Sequence, residues 1–115
     1  MKHYAMIFYA TRTLTPEELQ QRKVEIAAWA KDVEAMGISL DPRSFGLPTA
    51  SLSAQGGEVI SHEDSGGSTF SNIVFFNSPS EAQAVGIAKA HPGLHYGATV
   101  VVREWTSPRE TAPAR

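Results

Sequence analysis

The sequence predicts an α+β domain in which one antiparallel sheet carries two helices on a single face. Three observations predict it. The same helix-opening signature follows a strand-like run twice, as Thr15-Pro16-Glu17-Glu18 and as Ser78-Pro79-Ser80-Glu81. Further strand-like runs follow each helical stretch. The runs beginning at Tyr4, Phe70 and Val100 are apolar on both faces, and two helices can cover only one.

Tyr4 to Ala10 is rich in aromatic and branched side chains and reads as a strand, with Tyr4, Met6 and Phe8 opposite Ala5, Ile7 and Tyr9. Thr15 caps the first helix, Pro16 loses no hydrogen bond at the first helical position, and Glu18 completes a capping box. Leu19, Ile26, Ala30 and Val33 recur at helical spacing, flanked by Arg22, Trp29 and Met36, and Gly37 is a natural stop. Ile38 to Pro48 is irregular, and Pro42, Gly46 and Pro48 predict a loop. Thr49 to Ser53 and Glu58 to His62 form a predicted hairpin around Gln55-Gly56-Gly57. Glu63 to Gly67 turns again, and Phe70 to Asn77 is a strand with Ile73 and Phe75 opposite Val74 and Phe76. Ser78 caps the second helix, where Ala82, Val85 and Ala88 share one side and His91 precedes the Pro92-Gly93 stop. Val100 to Trp105 is the last strand, with Val100 and Val102 facing away from Val101 and Trp105. Residues 1–105 therefore read as one domain of ferredoxin-like sandwich type, and the polar, proline-containing residues 106–115 as a flexible tail. Leaving the second sheet face in water would expose a large apolar patch, so a homodimer packed sheet on sheet is expected.

At 115 residues with 42% apolar content the chain suffices for one core and is too short for two. A net charge of −2 and the lack of a basic run with interleaved aromatics argue against nucleic acid as a partner. Without cysteine there is no disulfide, thiolate zinc site or cysteine nucleophile, which fits a reducing compartment. The N-terminus lacks a signal-peptide layout, and no run approaches the ~20 apolar residues that span a bilayer. A cytoplasmic protein without membrane contact is expected.

His62-Glu63-Asp64 is the densest ionisable group. On an extended backbone His62 and Asp64 point the same way, so the carboxylate can orient the imidazole for general acid–base work. Against this stands a solvated hairpin end in which Asp64, Ser65 and Gly66 make the turn. Asp64-Ser65-Gly66-Gly67 echoes a serine-protease motif, but such a triad needs a far longer chain, and the neighbouring glycines lack a phosphate-loop lysine. His91 suits the C-terminus of the second helix as a cation. His95 and Tyr96 precede the last strand at a pocket mouth. Pro92 and Gly93 break the helical spacing that His91 and His95 would need for a metal, so no metal site is expected. His3 and Tyr9 share a strand face, with Arg12 in the loop beyond to meet an anionic or phenolic ligand; the plain alternative is a strand-end histidine, a core tyrosine and a surface arginine. Trp29 and Trp105 read as packing.

The two helix starts, the strand Asn72-Ile73-Val74-Phe75-Phe76 and the block His91-Pro92-Gly93-Leu94-His95-Tyr96-Gly97-Ala98-Thr99-Val100-Val101-Val102-Arg103 resemble the YCII-related, or DGPF-domain, family of the dimeric α-β barrel superfamily. The resemblance runs from Met1 to about Trp105. It implies a ferredoxin-like fold, a dimer whose sheets close into a barrel, and, by analogy with related proteins, action on small aromatic compounds. Where many members carry Asp-Gly-Pro-Phe this chain has His62-Glu63-Asp64-Ser65-Gly66. The histidine that members thought to be catalytic carry on the first helix, paired with an aspartate, is missing, though Asp41 offers the acidic partner. The expectation is a small-molecule-binding protein with cofactor-free acid–base chemistry on an aromatic or enolic compound, resting on His62, Asp64 and His95, with His3, Tyr9, Arg12 and Tyr96 as ligand contacts. Its rivals are a cofactor-free lyase or oxygenase and a non-catalytic dimeric scaffold or regulator.

Overall fold

Lys2–Tyr9 forms the strand β1, one of the two inner strands of the sheet; Tyr4, Met6 and Phe8 of one alternating set are buried, whereas Ile7 and Tyr9 of the other are half-buried. The fold comes from a computed structural model, which describes residues 1–46, 50–62 and 70–111. After β1 come α1 (Pro16–Ala35), β2 (Leu40–Ser44), β3 (Ser51–Gln55), β4 (Glu58–His62), β5 (Phe70–Ser78) and α2 (Glu81–Lys89). A 3₁₀ turn (Pro92–Tyr96), β6 (Thr99–Glu104) and one helical turn, α3 (Pro108–Thr111), complete the described chain.

The main sheet has the order β2-β5-β1-β6 with every pair antiparallel. With two helices and this strand order, the α+β arrangement is compatible with a ferredoxin-like fold. The strand that follows α1 lies where the sequence predicts a loop. Pro42 suggests a break, yet β2 pairs only with β5, and an edge strand tolerates a residue without an N–H. The predicted hairpin is present as β3 and β4, a separate two-stranded sheet turned by Gly56 and Gly57 at φ of 61° and 84°.

Both helices pack on one face of the main sheet. Tyr4, Met6, Phe8, Val74 and Phe76 meet Trp29 and Val33 of α1 and Ala84, Ile87 and Ala88 of α2. Burying each large side chain contributes about 1.5–3 kcal/mol. The capping box of α1 is complete: Thr15 Oγ1 accepts the Glu18 N–H at 3.1 Å, and Glu18 Oε1 accepts the Thr15 N–H at 3.0 Å. The second helix corrects the expected cap. Ser78 ends β5 as a fully buried residue, and Ser80 takes the cap by accepting the Gln83 N–H at 3.1 Å. The inward stripes also differ. Trp29 turns into the core and donates Nε1–H to the Ile87 carbonyl at 3.1 Å, while Leu19 is half exposed. In α2, Ala84, Ile87 and Ala88 are buried, and Ala82 is exposed. No helix among the described residues is long and apolar enough to cross a membrane.

Candidate functional site

The side of the main sheet away from the helices carries His3, Ala5, Ile7 and Tyr9 from β1, with Ile73 and Phe75 from β5 and Val101 from β6 in register beside them. Its aromatic side chains form two groups. At one end the His3 ring stacks on Trp105 at 4.7 Å, and Phe75 meets the same indole edge-on at 5.8 Å. His3 Nδ1 lies 2.6 Å from Asn77 Oδ1, so this ring nitrogen donates to the amide oxygen. At the other end Tyr9, Phe70 and Phe45 make a second group, with ring separations of 5.9 and 4.7 Å. Phe70 reaches it because the register slips by one residue: Phe8 faces Asn72, whereas Tyr9 faces Phe70. Such a bulge re-aims a side chain that simple alternation would send into the core. Val101 and Trp105 each keep 38% of their surface exposed, and Phe45 keeps half. On the edge strand of this face, Asp41 accepts two hydrogen bonds from Arg43, both at 3.1 Å.

A polar cluster lies beyond the Tyr9 end of β1. Arg12 donates to both carboxylate oxygens of Glu18, at 3.1 and 2.8 Å, and Thr11 donates its hydroxyl to the Gly97 carbonyl. The Arg12 guanidinium, helped by the Thr15 N–H, holds the Glu18 carboxyl down at about 2. Gly97 has a φ of 87°, and a β-carbon there would lie 3.0 Å from both Arg12 Cγ and Thr11 Oγ1, so this close approach requires glycine. One residue earlier, the Tyr96 hydroxyl donates to Glu25 Oε2 at 2.5 Å. That hydrogen bond raises the Tyr96 pKa and, with a second from Gln21, lowers the Glu25 pKa. Both shifts move the pair away from proton transfer near neutral pH, so this pair acts as a clasp between α1 and the 3₁₀ turn.

The structure thus brings Tyr9, Arg12, His95 and Tyr96 to one end of the domain. It leaves His3 six residues away along β1, about 20 Å at strand rise. His95 is exposed on the 3₁₀ turn. The backbone of His62 closes β4 opposite Ser51; its side chain, and all of Asp64, lie outside the described residues. His91 departs from the expected cation. It is 4% exposed between the rings of Phe8 and Trp29, caps the 3₁₀ turn by accepting the Gly93 N–H at 2.9 Å, and burial pushes its pKa down to about 4. Among the described residues no group of His, Asp and Glu side chains is placed to hold a metal ion.

Sequence reasoning missed Trp105, Phe75, Phe70, Phe45 and Asn77 as lining of the helix-free face. Alternation from Val101 to Trp105 signals that position, whereas the bulge that turns Phe70 outward leaves no sequence mark. No family model matches the chain, and no curated protein matches its sequence.

Proposed function

We propose that the chain is a YCII-related, cytoplasmic small-molecule-binding protein that works as a homodimer. Two helix-free faces close on each other as a dimeric α-β barrel and hold a small aromatic or enolic compound among their aromatic side chains. The observation that carries the reading is the stack of His3, Trp105 and Phe75 on the sheet face away from α1 and α2. An apolar wall with a few placed polar groups, here His3 and Asn77, is the usual make-up of a small-molecule site. Tyr9 extends the same face, and Arg12 and Tyr96 stand at that end of the domain, each tied to a carboxylate of α1. Acid–base chemistry, if the bound compound is turned over, falls to His62, Asp64 and His95 without a cofactor. The scaffold alternative draws its support from the ion pair that occupies Arg12 and the carboxylate that occupies Tyr96.

Fluorescence titration with small phenols and enols tests the proposal. Trp105 emission should be quenched saturably, and Trp105→Phe should abolish the response. A panel that leaves Trp105 emission unchanged while the protein is dimeric would favour the scaffold.

A further inference from the structure

A groove runs between α1 and α2 on the side of the helices away from the sheet-borne site. Its volume is about 550 Å³, within the range of small-molecule sites. The apolar lining comes from Trp29, Val33 and Met36 on one helix and from Ile87, Ala90 and Pro92 on or beyond the other. Trp29, Val33 and Ile87 are buried and fix the floor, since the Trp29 indole N–H is tied to the Ile87 carbonyl. The groove exists because α2 presents Gly86 and Ala90 where larger side chains would fill it. A β-carbon at Gly86 would meet nothing within 4 Å.

The charged residues that line the groove are both acidic. Glu25 and Asp32 sit on the α1 wall, Gln83 faces them from α2, and no lysine, arginine or histidine contributes to the lining. Glu25 is held in place by the Tyr96 hydroxyl. Among the described residues Asp32 belongs to no ion pair. An apolar trough edged by two carboxylates complements a body that is apolar at one end and cationic at the other.

We infer that the α1–α2 groove is a binding site for a small amphiphilic cation, an aryl- or alkyl-ammonium compound whose apolar part lies over Trp29 and Ile87 and whose ammonium meets Asp32 and Glu25. The site is separate from the helix-free sheet face and does not depend on the function proposed for that face. An exposed ion pair adds at most about 1 kcal/mol, a preference of about five-fold for the cation over a neutral molecule of the same shape.

The test uses the full chain, labelled with ¹⁵N, and three probes of one shape: phenethylammonium, 2-phenylethanol and phenylacetate. Phenethylammonium should shift the Trp29 indole resonance and the Ile87 and Ala90 amides saturably. 2-Phenylethanol should bind about five-fold more weakly and phenylacetate more weakly still. Asp32→Asn, an exposed change, should bring the ammonium toward the alcohol and leave the alcohol unchanged. Gly86→Leu should abolish all three responses while improving the helix, because leucine is a better helix former than glycine. Equal binding of the three probes would overturn the inference. So would shifts confined to Trp105 and its neighbours, a cation preference undiminished by Asp32→Asn, or binding that survives Gly86→Leu.

Discussion

Acidification should destabilise this domain through His91, by an amount that follows from its burial. The ring is 4% exposed, and its Nδ1 accepts the Gly93 N–H, which places the proton of the neutral imidazole on Nε2. Burial first, and the positive charge of Arg22 second, lower its pKa from 6.5 to about 4. An unfolded chain takes up the proton below pH 6.5, whereas the folded chain resists it until about 4. The contribution to stability is therefore whole above 6.5 and is lost as the pH falls through that window. At about 1.4 kcal/mol per pH unit, the full loss approaches about 3 kcal/mol. His91→Asn removes the titration but keeps a side-chain oxygen that can accept the Gly93 N–H. Urea unfolding of both proteins should be followed at intervals from pH 7 to pH 4. The wild type should lose about 3 kcal/mol more than the variant across that range, with a constant offset between them at higher pH. Parallel stability curves would refute the assignment of a buried, neutral imidazole.

Two further substitutions probe the packing. The Tyr4 hydroxyl is buried and has no hydrogen-bond partner among the described residues, so Tyr4→Phe should raise the unfolding free energy by about 1 kcal/mol in urea titration; a loss of similar size would reveal a partner for that oxygen. Gly97→Ala forces a side chain onto a backbone at φ 87° and against Arg12 and Thr11, and should cost about 1–3 kcal/mol in the same assay; a neutral result would mean that the loop relaxes freely.

Local signals in the sequence read well where one residue's chemistry decides the outcome. Thr15, Pro16 and Glu18 specify the start of α1 because capping needs only groups within one turn. Alternation in β1 reads equally well, with Tyr4, Met6 and Phe8 buried under the helices. Reading failed where tertiary position outranked local preference. Pro42 looks like a breaker until its strand is known to be an edge, and Ser78 looks like a cap until β5 extends to include it. Ala-rich α2 offers several inward stripes of similar apolar character, and only the neighbouring Trp29 and sheet select Ala84, Ile87 and Ala88. For the candidate site, His3 and Tyr9 were legible as one strand face. Their aromatic neighbours depend on cross-strand register and on the slip at Tyr9, which no single strand encodes.

The mass of the protein in solution, measured by sedimentation at micromolar concentration, tests most directly whether the helix-free face is a partner surface. A homodimer gives twice the 12.4 kDa of one chain. Two adjacent substitutions should behave differently. Val101 lies on the helix-free face, so Val101→Asp should give a folded monomer. Val102 packs against the core, so Val102→Asp should unfold the chain. A wild-type mass of one chain, or a Val101→Asp protein that remains dimeric, would rule out this face as the dimer surface.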